Sequence, residues 1–234
     1  IAGYTGCPGY IVHLTCEGAL NAVRENNKHN QKVFAETCIQ YLLLDASLYE
    51  QNFEGAKWVM SPPLREKKDQ AVLWAGINQG LIQVVATDHC PFKWEQKLMG
   101  KNDFSKIPNG HPAIEHRVEL LYSEGVRKGR ITANKFVEVL STNPAKIFGM
   151  FPQKGCIAPG SDADIVLFDP NEEHTISVAT HHMNTDYSAY EGWKLTGKTK
   201  TVLLRGQVVI DEGKCLVEKG NGKYIKRNKV SQLI

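Results

Sequence analysis

The segment of residues 84–92, Val-Val-Ala-Thr-Asp-His-Cys-Pro-Phe, constrains the fold of this chain more than any other. A short apolar run rich in β-branched residues ends abruptly in Asp88, His89 and Cys90. This is the pattern of a buried parallel strand with polar groups at its carboxyl end, where barrels of alternating strands and helices carry catalytic residues. A carboxylate there can bind a metal ion or accept a proton. Asp88 can equally cap the following turn, and this segment alone leaves both interpretations open.

Strand and helix signals alternate through the first half of the chain. The pattern predicts three strands, at residues 10–15, 33–38 and 81–87. It predicts two helices between them, at residues 17–27 and 66–79, the second ending at Gly80. Such alternation favours a parallel sheet covered by helices. Three strands cannot close a barrel and leave unpaired edges, so we expect the C-terminal part of a longer protein, or strands supplied from elsewhere.

The predicted secondary structure changes from helices to short strands after Gly149. Before it, helices are predicted near residues 112–123, 132–140 and 144–148. After it, short strands are predicted at residues 163–168, 201–205 and 207–210, with turns at Gly206 and at residues 211–214. The last third of the chain is therefore predicted to be a small antiparallel β unit followed by a tail.

Composition excludes several classes of protein. The 234 residues carry a net charge of only +3, with one basic stretch at 223–229 that is expected to be a solvated terminus. This is too mild a charge for nucleic-acid binding, and no apolar run is long enough to span a bilayer. The six cysteines form no Cys-x-x-Cys pair, which favours a reducing cytoplasm. Because the chain begins at Ile1, the lack of a visible signal peptide says little.

His13 is the second candidate for chemistry, because it too lies late in a predicted strand. A lone histidine in a strand is more often a core residue than a metal ligand. Two parallel strands that each end in a metal-competent group nevertheless make a metal site a serious alternative. The neighbours His181 and His182 point to opposite faces of an extended chain and are expected to be structural. His89 could orient a ligand or bind substrate. Cys90 lacks an identifiable base and is a poor candidate nucleophile.

Several segments together resemble the dihydropyrimidinase/D-hydantoinase family of cyclic amidases. The resemblance rests on His13 within Tyr-Ile-Val-His-Leu-Thr-Cys and on four further segments in the same order: 36–42, 61–65 (Ser-Pro-Pro-Leu-Arg), 87–92 and 107–110 (Ile-Pro-Asn-Gly). Residues 143–149 and 160–166 resemble the wider amidohydrolase superfamily. The resemblance covers essentially the whole chain.

The resemblance implies an α/β fold: the C-terminal part of a (β/α)₈ barrel, about its last three strands, plus a small β-sandwich segment and a tail. The corresponding units are residues 1–150, 151–216 and 217–234. It also implies a cytoplasmic enzyme that is a homotetramer when full length and hydrolyses the ring amide of 5,6-dihydropyrimidines or hydantoins, with neither nucleic acid nor membrane as a partner. The 234-residue chain alone is expected to be inactive.

The resemblance further implies a centre of two divalent metal ions, most often zinc. Because His13 and Asp88 match ligand positions of the family, the resemblance implies that His13 ligates one metal. It implies that Asp88 ligates the other and transfers the proton. Ser61 and Asn109 match positions whose main-chain groups hold the imide edge of the substrate. The remaining ligands, including a carboxylated lysine that bridges the metals, belong upstream of Ile1.

Two alternatives stay open. Dihydropyrimidinase-related adaptor proteins resemble the same fold but have lost metal ligands, whereas His13 and Asp88 are both metal-competent. Allantoinase or dihydroorotase would be a different cyclic amidase. For dihydroorotase, Arg65 is the obvious basic group for the substrate carboxylate.

Overall fold

The computed structural model describes residues 2–28 and 33–228. The first part of the chain contains α1 (Ala2–Thr5), β1 (Gly9–Ile11), α2 (Glu17–Lys28), β2 (Val33–Cys38), α3 (Ile39–Leu43), α4 (Lys67–Asn78), β3 (Val84–Ala86) and α5 (Trp94–Lys97). The remainder contains α6 (Arg117–Leu121), α7 (Ala133–Val137), α8 (Asn143–Ile147), β4 (Ile165–Thr175), β5 (Lys194–Leu204), β6 (Gln207–Asp211) and β7 (Lys214–Cys215). The six C-terminal residues of the predicted tail lie outside the described residues.

Two sheets organise the described residues, and the predicted α/β class is confirmed. Strands β1, β2 and β3 form a parallel sheet in that order, with Ile11 beside Ala35 and Cys38 beside Ala86. Strands β4 to β7 form an antiparallel sheet in chain order. Because β1 to β3 run in one direction, their carboxyl ends share one edge of the sheet.

Helix α2 packs against β2 and against α4, and both helices contribute buried side chains to the core. Leu20 of α2 and Leu73 and Ile77 of α4 have no exposed surface, and burying each such side chain contributes about 1.5–3 kcal/mol. The two helices approach closely at Gly76, where a Cβ would lie 2.8 Å from Leu20 Cδ2. A glycine in mid-helix is explained here by packing.

Strand β3 is shorter than the predicted 81–87, for a local reason. The main-chain N–H groups of Leu81 and Ile82 both donate to the Gly76 carbonyl and continue the end of α4. The side chain of Gln83 then accepts from the Ala35 N–H at 2.8 Å, in the place of a ladder bond. Regular pairing begins only at Val84.

Strand β1 is also shorter than predicted, ending at Ile11 rather than Thr15. The backbone turns at His13, whose φ is 39°, so the alternation of a strand does not apply to this histidine. The chain still follows β2, since the Leu14 N–H donates to the Glu36 carbonyl at 2.7 Å.

The predicted helix at 112–123 begins late and ends in a wider turn. Residues 111–116 are held in a loop, and α6 starts at Arg117. Residues 122–126 form a π-helical turn closed by the Arg127 N–H on the Tyr122 carbonyl. Hydrophobic spacing cannot distinguish such a turn from α-helix.

The antiparallel sheet has the two predicted turns but longer strands. Arg205 and Gly206 both have positive φ, as do Glu212 and Gly213, which is the geometry of two-residue hairpins. Strands β4 and β5 extend over eleven residues each, well beyond the predicted 163–168 and 201–205. Lysines, threonines and glutamates in these extensions masked the alternation.

The described part of the basic stretch is mostly exposed, in agreement with the predicted solvated terminus, but its backbone is also held at one point. The Asn228 N–H donates to the Gly149 carbonyl at 2.9 Å, so residues 223–228 return to the end of the helical region. Among the described residues, no helix is long and apolar enough to cross a bilayer.

Candidate active site

His13 and Asp88 lie at the same edge of the parallel sheet, on either side of β2. Each follows the last paired residue of its strand by two positions, since β1 ends at Ile11 and β3 ends at Ala86. His13 is half-buried and Asp88 is exposed. The predicted position of both residues at the carboxyl ends of parallel strands is confirmed, and their chemical roles stay predictions.

Both residues have left-handed backbone, with φ of 39° at His13 and 47° at Asp88. For residues other than glycine this conformation costs roughly 1–3 kcal/mol and persists only where neighbours fix it. Beyond His13, the Thr37 hydroxyl donates to the Leu14 carbonyl at 2.7 Å. Before Asp88, the Gln40 amide donates to the Thr87 carbonyl at 3.0 Å. The two turns are thus anchored on β2 and α3.

The charge of Asp88 acts on the buried side chains behind this edge. Burial raises the pKa of the Cys38 thiol, and the carboxylates of Glu36 and Asp88 raise it further. Burial also raises the pKa of the Tyr41 phenol, with Cys38 and Asp88 adding to the effect. Both groups stay protonated near neutral pH, so neither serves as an anionic nucleophile.

The donor set fits part of a metal centre. Imidazole nitrogen and carboxylate oxygen are both ligands of zinc. His13 and Asp88 place one group of each kind at this edge of the sheet. Within residues 2–28 and 33–228, no group of three or more His, Cys, Asp and Glu side chains is placed to hold a metal ion. A centre here would need further ligands in addition to His13 and Asp88.

Ser61 and Asn109, far apart in sequence, are in direct contact. Asn109 Nδ2 donates to Ser61 Oγ at 3.0 Å. We call residues 59–64 the serine loop and residues 107–111 the asparagine loop. Two tyrosine hydroxyls hold the serine loop in place. Tyr41 Oη donates to the Pro62 carbonyl at 2.7 Å, and the Leu64 N–H donates to Tyr49 Oη at 2.8 Å.

Hydrogen bonds fix both peptide groups that flank Asn109. The Gly110 N–H donates to the Val59 carbonyl at 2.9 Å, and the Pro108 carbonyl accepts from Lys97 Nζ at 2.7 Å. Both peptides are trans, and in a trans peptide the N–H and C=O point in opposite directions. The N–H of Asn109 therefore points away from Lys97, and the C=O of Asn109 points away from Val59. Such a neighbouring donor and acceptor can pair with the edge of an amide or imide.

His89 holds the chain beyond the asparagine loop. Its Nδ1 accepts from the N–H groups of Ala113 at 3.1 Å and Ile114 at 3.2 Å, so the proton of the neutral ring is on Nε2. Burial lowers the pKa of His89, which also favours the neutral ring. Because β3 ends at Ala86, Asp88 and His89 both lie beyond the strand, and the alternation of side chains along a strand does not apply to them.

The other sequence candidates have separate surroundings. His181 stacks on His116 at 6.1 Å between ring centroids, and His182 Nδ1 lies 2.8 Å from Glu115 Oε1. These contacts agree with the predicted structural role of the histidine pair. Arg65 Nε donates to the Thr15 hydroxyl at 3.1 Å, which places this arginine near the end of β1.

The sequence reasoning missed Tyr41 and Lys97. Tyr41 lies in an apolar run that reads as core, and its hydroxyl contact to the serine loop has no local signal. Lys97 stands among polar residues of α5 and reads as a surface lysine, yet it has no exposed surface. Neither position could be singled out without the fold.

Gly110 joins the asparagine loop to the segment after Asp88. Its φ is 140°, and a Cβ there would lie 2.4 Å from the Cys90 carbonyl oxygen. We expect Gly110→Ala to lower the free energy of unfolding by about 1–3 kcal/mol through this clash and the backbone strain. The matched control is Gly129→Ala, where φ is 68° and nothing lies within 4 Å of the added Cβ. Thermal unfolding of both variants checks this, and an equal loss in the two would contradict it.

Comparison with known proteins decides the family. The sequence model of the amidohydrolase family matches residues 6–209. The chain belongs to the amidohydrolase family. A D-hydantoinase from Geobacillus stearothermophilus is 50% identical over 227 residues, which cover 96% of this chain and 48% of that protein. The resemblance to hydantoinases and dihydropyrimidinases is thus confirmed.

Solved amidohydrolase structures agree with this assignment. The dihydropyrimidinase from Brevibacillus agri superposes with a TM-score of 0.97 at 50% identity, covering 99% of this chain and 50% of that one. The L-hydantoinase from Arthrobacter aurescens superposes with a TM-score of 0.89 at 29% identity, covering 97% of this chain and 50% of that one. The chain spans about half the length of the curated relatives it matches.

Proposed function

We propose that this amidohydrolase chain carries one half of the active site of a cyclic amidase that opens the ring of 5,6-dihydropyrimidines or hydantoins. The observation that carries the proposal is the joint placement of His13 and Asp88 at one sheet edge, together with the contact between Ser61 and Asn109. Relatives named D-hydantoinase or D-phenylhydantoinase, at 45–50% identity, support the substrate class.

Within this proposal, the parallel sheet of β1 to β3 is the C-terminal part of a (β/α)₈ barrel. Residues 1–150 form the barrel portion, 151–216 the β-sandwich segment and 217–234 the tail. The resemblance supports a homotetramer. A cytoplasmic location is supported by the six cysteines, which are all free.

His13 and Asp88 would bind a pair of divalent metal ions, most often zinc, with further ligands from the part of the relatives' length that this sequence does not match. The metals would supply Lewis acidity and an activated water. The Asp88 carboxylate accepts a proton during attack on the ring carbonyl and returns it to the departing ring nitrogen. That return matters because an amide nitrogen leaves poorly as an anion.

Substrate orientation would come from the serine and asparagine loops. The N–H and C=O of Asn109, which point away from Lys97 and Val59 respectively, would pair with the imide edge of the ring together with main-chain groups of Ser61. A rigid main-chain contact loses little conformational freedom on binding, which favours affinity and alignment.

The test uses the complete polypeptide, by which we mean this chain joined to the N-terminal half that its relatives possess. Its hydrolysis of dihydrouracil, hydantoin, allantoin and dihydroorotate is measured with zinc present, alongside the Geobacillus stearothermophilus D-hydantoinase as a positive control. We expect ring opening of dihydrouracil or hydantoin. Turnover confined to allantoin or dihydroorotate would contradict the substrate class, and a folded polypeptide without turnover would favour an adaptor protein.

A further inference from the structure

Lys97 is a buried cation whose described hydrogen-bond partners are all uncharged. It ends α5 and has 0% exposed surface. Its Nζ donates to the carbonyls of Val59 at 3.0 Å, Pro108 at 2.7 Å and Gly110 at 2.8 Å. An ammonium has three N–H donors, so all three are used, and all three acceptors are main-chain oxygens of the serine and asparagine loops.

This arrangement is costly for a residue that serves packing alone. Removing an ammonium from water carries a large desolvation penalty, which neutral carbonyls offset only in part. Burial accordingly lowers the pKa of Lys97 to about 8. An apolar side chain of similar length would fill the same space without that penalty.

The three acceptors define what Lys97 controls. The Pro108 and Gly110 carbonyls lie immediately before and after Asn109, and the Val59 carbonyl also accepts the Gly110 N–H. The ammonium therefore sets the Pro108–Asn109 peptide plane and hence the direction of the Asn109 N–H. It also fixes the asparagine loop to the serine loop two residues before Ser61.

We propose that Lys97 is a positioning residue for the substrate, which acts by holding the serine and asparagine loops together so that the main chain of Asn109 faces the ring amide. The inference rests on the proposed cyclic amidase function. In this inference Lys97 is not a reacting group. It aligns the main-chain N–H and C=O of Asn109 that would pair with the amide.

The test compares Lys97→Met with Lys101→Met in the complete polypeptide. Methionine keeps the length of the side chain but has no donors, and Lys101 is an exposed lysine four residues further along. We expect Lys97→Met to raise KM for the cyclic amide about tenfold, equivalent to about 1.4 kcal/mol of lost binding. We expect kcat to change less than KM, because the contact is made in the ground state and the transition state alike. Lys101→Met should leave both unchanged.

The melting temperature separates positioning from a role in stability. It should change little in Lys97→Met, because removal of the desolvated ammonium is offset by the three main-chain carbonyls that lose a donor. Lys97→Gln, whose two amide N–H groups can serve at most two of the three carbonyls, should give a smaller rise in KM. An unchanged KM in a folded Lys97 variant, or loss of the fold in both variants, would overturn the inference. If the unsubstituted polypeptide opens no cyclic amide, the proposed function itself fails, which is a different result.

Discussion

Replacing Asp88 by asparagine in the complete polypeptide is expected to lower kcat by at least ~10²–10⁴-fold, the usual contribution of a general acid–base group. The loss will be larger if metal binding also suffers. The fold should be unaffected, because Asp88 is exposed and asparagine tolerates the left-handed backbone that this position requires. Steady-state kinetics and thermal unfolding measure the two effects.

The matched control for Asp88→Asn is Glu95→Gln, the same carboxylate-to-amide change at an exposed position of α5. It should leave kcat unchanged. If Asp88→Asn retained activity near that of the unsubstituted polypeptide, Asp88 could not be the proton-transferring group.

Replacing His13 by asparagine should remove one metal ligand while keeping the backbone, since φ at His13 is also positive. We expect the metal content to fall from about two ions to about one for each polypeptide and kcat/KM to fall by roughly 10²-fold or more, because a catalytic centre loses its geometry with a ligand. Metal analysis after dialysis, read beside the kinetics, checks the prediction.

His182→Asn provides the control for His13→Asn, since His182 is exposed and its ring contacts Glu115. Its metal content and activity should match those of the unsubstituted polypeptide. A metal loss at His182 equal to that at His13, or no loss at His13, would refute the assigned ligand.

Much of the strand order could be predicted because hydrophobic runs of β-branched residues mark buried strands. The edge that carries Asp88 followed from this pattern, as did the hairpin at Gly206. The pattern could not reveal where pairing stops. Gln83 replaces a main-chain bond with its side chain and shortens β3, and His13 leaves the strand through a left-handed turn. Both effects depend on neighbours distant in sequence.

The organisation of the two loops was least visible in the sequence. Their residues were expected near a substrate through resemblance, but the contact between Ser61 and Asn109 spans 48 positions. The role of Lys97 depends on carbonyls, which carry no sequence signal because every residue has one. A buried lysine among exposed neighbours can be recognised only once the loops are in place.

The most direct test of the central claim is anomalous scattering from crystals of the complete polypeptide grown with zinc. The account predicts two zinc peaks at the carboxyl edge of β1 to β3, one bonded to an imidazole nitrogen of His13 and the other to an oxygen of Asp88, each at about 2.0–2.2 Å. Zinc bound elsewhere, with neither His13 nor Asp88 in its coordination shell, would contradict it.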